Sequence, residues 1–207
     1  MHYITLFALT FLAAAVATLP PGLLNMNAAK ISVERGKKYG IYFSLACSLV
    51  IFAEALGAAV FSKFLFEHPE TINTILIGAL IIFLVLFFYF WKKSNRDLTK
   101  LVPSSSNSFL KGISLAVLNV LTIPFYAGLH AAFRSSKIAR LATSETLVFA
   151  AAALSGTFVV LYGYAYGFAK ISFDEQRFEK RSNRIIAGLM LVLLVITFIR
   201  LWLNYEW

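Results

Sequence analysis

The chain has 207 residues, of which 59% are hydrophobic and 14% are charged, and its mean hydropathy is +0.76. Soluble domains are about 45–50% apolar and about 25% charged, so the composition excludes an ordinary soluble domain and indicates a protein of the lipid bilayer. The net charge of +9 does not indicate nucleic-acid binding, because most Lys and Arg residues lie in short stretches between apolar runs, where the positive-inside rule places them.

Six apolar stretches are long enough to cross a bilayer core, which takes about 20 helical residues. Lipid offers no hydrogen-bond partner to the backbone, so helices are the expected elements. The stretches cover residues 3–24, 39–62, 72–91, 109–133, 145–169 and 185–203. The sequence therefore predicts an all-α, multi-pass membrane protein with six transmembrane helices. The first stretch is predicted to be a retained helix and not a signal peptide, because no Lys or Arg precedes it.

Lys and Arg are unequally distributed between the two ends of these stretches. Fourteen lie in the segments that follow the first, third and fifth stretches, and five lie on the opposite side. The richer side is predicted to be cytoplasmic. Both chain termini are then expected to be periplasmic, in a protein of the cell inner membrane.

The two halves of the sequence resemble each other. A shift of 103 residues places Pro124 on Pro21 and Thr157 on Glu54. Because three helices begin and end on opposite sides of a membrane, a second copy has to run upside down, which predicts a 3+3 inverted repeat. The alternative is that six apolar helices merely look alike. The predicted division is a first three-helix repeat (1–91), a flexible cytoplasmic linker (92–108) and a second repeat (109–207).

Glu54 lies in the middle of the second stretch, where a charged side chain costs about 2.5–3.5 kcal/mol on insertion scales. Such a residue usually faces a cavity or a partner inside the protein. One interpretation is a proton-binding or cation-binding site that opens to each side of the membrane in turn. The other is a structural hydrogen bond to a neighbouring helix.

Helix-breaking residues interrupt two of the apolar stretches. Proline removes a backbone donor, and freed helix ends can present partial charges to a solute. A plain helix end at the membrane interface is the alternative for the first break. Thr157 is expected near the midplane, and the nearby tyrosines, Tyr164 among them, are expected to be interfacial anchors. The candidate substrate- and proton-binding residues are Glu54, Pro20, Pro21, Gly22, Asn25, Asn119, Pro124 and Thr157.

The residues that most often build catalytic or metal sites are few and dispersed. The single cysteine, Cys47, cannot form a disulfide within the chain, and His2, His68 and His130 form no ligand cluster in the sequence. We therefore expect no cofactor, no resident metal ion and no enzymatic activity.

The pattern resembles the lysine-exporter superfamily (LysE/RhtB type) of bacterial amino-acid exporters. The matching features are six spans, a Pro-Gly motif with a following Asn at the end of the first helix, an acidic residue in the second and an Asn and Pro pair in the fourth. The residues that carry them are Pro20, Pro21, Gly22, Asn25, Glu54, Asn119 and Pro124. The motifs depart from the usual Pro-Gly-Pro order, and Asn119 and Pro124 are not adjacent.

This resemblance implies a secondary transporter that exports amino acids or similar small solutes, coupled to protons, from a midplane site between the repeats. The alternatives are an exporter of a metal or other inorganic ion, and a membrane scaffold protein that transports nothing. The expected partners are an amino acid, a proton and the lipid bilayer. The sequence does not set the oligomeric state, and a homodimer is one of the states that it allows.

Overall fold

The computed structural model of the chain describes residues 2–20, 22–68, 72–93, 107–119, 121–138 and 142–167, with scattered positions of the sixth apolar stretch (188, 191–192, 194–199 and 202). Every element that it describes is an α-helix, which confirms the predicted all-α class for this part of the chain. The helices are α1 (His2–Thr18), α2 (Leu23–Arg35), α3 (Lys37–Glu67), α4 (Ile72–Lys93), α5 (Ser108–Val117), α6 (Thr122–Ser135) and α7 (Thr143–Gly167).

Three predicted spans appear as single helices. α3, α4 and α7 each begin within two residues of the predicted start of the second, third and fifth stretches. By length and hydropathy, α3 and α7 can each cross a membrane. The sixth predicted span lies mostly outside the described residues, so the count of six spans stays a prediction.

The other two predicted spans, 3–24 and 109–133, are each divided into two helices at the helix-breaking residues. α1 and α2 meet at an angle of 74°, and α5 and α6 meet at 63°. If each bent pair is one span, up to four spans in the described part of the chain are long and apolar enough to cross a membrane. Proline accounts for the first break, because it has no N–H to continue the ladder of helical hydrogen bonds.

α2 replaces what the sequence predicted to be a basic loop. One face of this helix is buried and includes Leu24, Ala28 and Ile31, while Lys30 and Glu34 form an i,i+4 ion pair of 3.9 Å on the exposed side. Gly36 ends the helix with a φ of +102°, a conformation that L side chains rarely adopt. The chain therefore turns directly from α2 into α3.

The chain divides into two compact units. The first consists of Met1–Phe64 and Val102–Ile171, and the second consists of Leu65–Leu101 and Ser172–Trp207. The first unit holds both broken pairs together with α7 and all but the end of α3. These are the stretches that carry the small and polar residues of the sequence, and the candidate functional residues all lie on them.

Two buried apolar clusters stabilise the first unit, and α3 and α7 run through both. The first cluster joins them to α1 and α6 and consists of Leu6, Ala14, Ile51, Ala55, Ala58, Ala59, Tyr126, Phe149, Ala150 and Ala153. The second joins them to α2 and α5 and consists of Leu24, Ala28, Ile31, Phe43, Cys47, Leu115, Ala116, Leu161, Tyr164 and Ala165. Each broken pair thus contributes one helix to each cluster.

Candidate functional site

The break between α1 and α2 is held by side-chain donors. A helix end leaves carbonyl groups without intrahelical partners, and here Asn25 Nδ2 donates to the carbonyl oxygens of Thr18 at 2.5 Å and Pro20 at 3.1 Å. The Tyr164 hydroxyl of α7 donates to the Leu19 carbonyl oxygen at 2.8 Å. Asn25 is 3% exposed, so these bonds fix a buried bend in one geometry.

The break between α5 and α6 is a tight backbone turn. The Asn119 amide donates to the Ala116 carbonyl oxygen at 2.8 Å, and the Thr122 amide donates to the Asn119 carbonyl oxygen at 3.1 Å. Pro124 lies in the first turn of α6 and not in the break itself. Proline is tolerated there because the first helical N–H groups have no intrahelical partner to lose.

The break at Asn119 brings Thr122, the first residue of α6, to Glu54 on α3. The two side chains interact, but the Thr122 hydroxyl and Glu54 Oε2 are both buried without a hydrogen bond of standard geometry among the described residues. Buried polar atoms are nearly always hydrogen-bonded. Each one left unpaired costs about 1–3 kcal/mol, and more when the group is charged.

Hydroxyl groups connect Glu54 to the end of α1. Tyr126, one turn beyond Thr122 on α6, lies within electrostatic range of Glu54 and interacts with the Thr157 hydroxyl of α7. Thr157 Oγ1 lies 3.5 Å from Thr18 Oγ1. We call these five residues, Glu54, Thr18, Thr122, Tyr126 and Thr157, the Glu54 cluster.

Close packing of α7 against α1 places Thr157 in this cluster. A Cβ atom on Gly156 would lie 2.9 Å from Ala14 Cβ and would also collide with the Phe11 carbonyl oxygen. Only glycine permits this approach of the two helices. The hydroxyl of the next residue, Thr157, is thereby held against the last turn of α1.

The chemistry of the Glu54 cluster suits a small cationic or hydrogen-bonding ligand. It combines one carboxyl group with four hydroxyl groups, which can both donate and accept. An ammonium group or a proton would satisfy the carboxylate oxygen that has no partner. No group of three or more His, Cys, Asp or Glu side chains that could hold a metal ion occurs among the described residues.

The predicted site residues therefore occupy different places. Glu54 and Thr157 belong to one polar cluster, and Asn25 touches it through the Thr18 backbone. Asn119, Pro20 and Gly22 lie at the helix breaks. Pro124 is exposed on α6, and Pro21 lies outside the described residues.

The sequence did not identify Thr18 as part of the site, and it treated Tyr164 as an interfacial anchor. Tyr164 is instead buried and secures the end of α1. A threonine in an apolar helix is too common to mark a site by itself, and the pairing across helices is visible only in the fold.

An open cavity of about 370 Å³ lies elsewhere, lined by Tyr39, Tyr42, Asn107 and Ser108. It contains none of the predicted site residues. It does bring the beginning of α3 together with the beginning of α5, as expected for two segments on the same side of the membrane.

A model of the LysE type translocator family matches residues 15–201, which is most of the chain. No curated protein sequence matches it significantly, and neither does any solved structure. The match includes both helix breaks and every residue of the Glu54 cluster.

Proposed function

Since the chain belongs to the LysE type translocator family and is therefore a membrane exporter, we propose that it exports amino acids or similar small solutes in exchange for protons. The Glu54 cluster is the proposed binding site. The single observation that carries this proposal is the buried Glu54 carboxylate oxygen, which has no hydrogen-bond partner among the described residues.

The free-energy cost of burying this oxygen without a hydrogen bond favours a ligand that binds to it. Glu54 is half-buried, and its Oε2 atom is buried without a hydrogen bond of standard geometry among the described residues. A carboxylate oxygen in this state is unfavourable in the middle of a membrane helix, and the cost falls when the group binds a proton or a cation. An amino acid carries an ammonium group of the right charge and size. The surrounding hydroxyl groups can accept from the remaining ammonium hydrogens.

The arrangement of helices around the site supports an inverted repeat. The predicted twofold operation exchanges α1 with α5, α2 with α6, and α3 with α7. It therefore carries the first apolar cluster, built on α1 and α6, onto the second, built on α5 and α2. A helix interrupted at a corresponding place in each half is a frequent mark of a transporter binding site.

Individual buried positions follow the same relation. At the shift of 103 residues, Ala46 corresponds to Phe149, Cys47 to Ala150, Ala58 to Leu161 and Ser62 to Ala165, and all eight side chains are buried. Two related halves that rock about a shared site provide alternating access. We therefore propose that the repeats are residues 1–91 and 109–207, with the linker between them.

Contacts at the two ends of α7 support the proposed topology. The Tyr3 and Ser144 hydroxyl oxygens are 3.1 Å apart, which joins the beginnings of α1 and α7. Lys37 Nζ lies 3.8 Å from the centre of the Tyr166 ring, which joins the end of α7 to the beginning of α3. Segments proposed to share a membrane side thus meet. We propose that both chain termini face the periplasm and that the protein lies in the inner membrane.

Proton exchange fits the energetics of export. A cationic amino acid that leaves a negative-inside cell works against about 2.3 kcal/mol per charge for each 100 mV. The return of one proton on Glu54 cancels that charge movement and adds the energy of the pH gradient. For a neutral amino acid, the proton gradient supplies the whole driving force.

The test uses purified protein in lipid vesicles loaded with a radiolabelled mixture of the protein amino acids, with efflux followed after an imposed pH gradient. Glu54→Gln is compared with Glu67→Gln, which changes an exposed carboxyl group at the end of the same helix. We expect gradient-driven efflux to be lost in the first variant and kept in the second. Equal efflux from wild type and Glu54→Gln at every pH contradicts the proposal. If the vesicles release divalent metal ions but no amino acids, the substrate is a metal ion and not an amino acid.

A further inference from the structure

A second buried polar cluster lies on the same helices as Glu54. His130 of α6 is 2% exposed and Ser62 of α3 is 1% exposed, and His130 Nδ1 lies 3.2 Å from Ser62 Oγ. Glu145, in the first turn of α7, is 3% exposed. The function proposed above uses none of these three side chains.

Two charged groups of opposite sign act on the imidazole of His130. Glu145 and Arg134, which lies one turn further along α6, are both within electrostatic range of the ring. The facing residue of α3, Ser62, is neutral, and α1, which packs against α7, has no Asp, Glu, Lys or Arg. The imidazole has two ring nitrogen atoms that can each accept or donate a proton, which suits this side chain to proton transfer.

The Glu54 cluster and the pair of His130 and Ser62 lie at two different levels along the interface between α3 and α6. Thr122, Tyr126 and His130 are spaced four residues apart on α6, so they share one face of the helix. On α3, Ser62 follows Glu54 by eight residues, two turns or about 12 Å along the axis. Glu54 interacts with the beginning of α6, and Ser62 interacts with a later part of that helix, so α3 and α6 run in the same direction. His130 therefore lies beyond Glu54, toward the beginning of α7.

Phe149 lies between the two levels. Its ring is fully buried and packs edge-on against Tyr126 at 5.9 Å and His130 at 5.2 Å between ring centres. On α7, Phe149 follows Glu145 by one turn and precedes Thr157 by two turns. The order along this helix is thus a carboxyl group, an aromatic ring and a hydroxyl of the Glu54 cluster.

We propose that His130 relays protons between Glu54 and the side of the membrane at which α7 begins. The inference rests on the proton exchange proposed above. In the relay, one ring nitrogen accepts a proton, the imidazolium releases the proton on its other nitrogen to a chain of water molecules, and the last of these protonates the Glu54 carboxylate. One N–H bond forms and one breaks, so the imidazole returns to its neutral state. Movement of the Phe149 ring opens the path between the two residues.

The test compares two activities of the reconstituted protein, with the same radiolabelled amino-acid mixture as probe. Net efflux driven by a pH gradient requires protons to move, and a trapped pH-sensitive dye records them. Exchange of labelled for unlabelled amino acids at equal pH requires no net proton movement. His130→Phe keeps an aromatic ring against Phe149 but cannot carry a proton, and His68→Phe is the matched control at an exposed histidine.

We expect His130→Phe to slow gradient-driven efflux and the accompanying proton flux by about tenfold or more, in line with the loss of an acid–base group. Exchange should stay within about twofold of wild type, and His68→Phe should change neither activity. Retained proton flux in His130→Phe overturns the relay.

Three further outcomes distinguish a failure of this inference from a failure of the proposed function. If His130→Phe and His130→Gln both lose exchange together with net efflux, His130 is structural and the relay is wrong. If Glu54→Gln loses gradient-driven efflux while His130→Phe keeps it, the proposed function stands and the relay alone fails. If Glu54→Gln shows wild-type efflux, both the proposed proton exchange at Glu54 and the relay that depends on it are wrong.

Discussion

Thr18 Oγ1 and Thr157 Oγ1 lie 3.5 Å apart, which joins the last turn of α1 to the middle of α7. Thr18 also donates to the Ala14 carbonyl oxygen at 2.8 Å, so its own hydrogen is engaged within α1. Thr157 is 2% exposed and interacts with Tyr126 as well. This threonine therefore connects both broken helix pairs.

Replacement of Thr157 by valine should impair transport more than folding, because valine keeps the shape and loses the hydroxyl. We expect the rate of amino-acid efflux to fall about three- to tenfold, as the loss of one hydrogen bond implies. The control is Thr146→Val on the same helix, since the Thr146 hydroxyl donates to the Ala142 carbonyl oxygen one turn back. Equal efflux from the two variants contradicts a role for Thr157 in the site.

Gly156→Ala should destabilise the protein, because its Cβ has no room between α7 and α1. Overpacking of this kind costs about 1–3 kcal/mol, which thermal unfolding in detergent would record as a lower midpoint. Gly163→Ala is the matched control on the same helix, where a Cβ meets nothing within 4 Å. The control should be neutral or slightly stabilising, since alanine favours helix by about 1 kcal/mol over glycine. Equal midpoints for the two variants would show that α1 and α7 are not packed this closely.

Asn25→Asp tests the bend between α1 and α2. The aspartate has no N–H to donate, so the Thr18 and Pro20 carbonyl oxygens lose their partner. We expect a loss of about 1–3 kcal/mol of stability together with a strong loss of transport. Asn27→Asp serves as the control, because the Asn27 side chain donates to the Leu23 carbonyl oxygen of its own helix and not across the bend. If Asn25→Asp is no less stable than Asn27→Asp, the bend is held by other contacts.

The sequence predicted the long helices well because bilayer thickness fixes their length. Unbroken apolar runs gave the beginnings of α3, α4 and α7 to within two residues. α2 was missed for an equally physical reason. Its charged residues, including Lys30 and Glu34, give it the average polarity of a loop, and only its packing in the folded chain reveals its buried face.

The sequence pointed to the central residue of the candidate site, Glu54, but not to the residues that surround it. Glu54 is conspicuous because a carboxyl group inside an apolar helix is costly wherever it points. Its neighbours Thr122 and Tyr126 come from a distant part of the chain, and no local pattern sets the register of α3 against α6. The second break was expected over Asn119, Thr122 and Pro124, and it lies at the beginning of that segment, because proline in the first turn of a helix does not interrupt it.

Accessibility of the Glu54 cluster to a solute is the most direct test of the account. Cys47 is the only cysteine of the chain, so Cys47→Ala provides a cysteine-free background for Thr122→Cys. In vesicles, a small charged thiol reagent should label this variant, and the amino-acid mixture should slow labelling by about tenfold at concentrations well above its dissociation constant. Adding Glu54→Gln should abolish that protection. A labelling rate that the amino acids leave unchanged, or a thiol that never reacts, contradicts a solute site at Glu54.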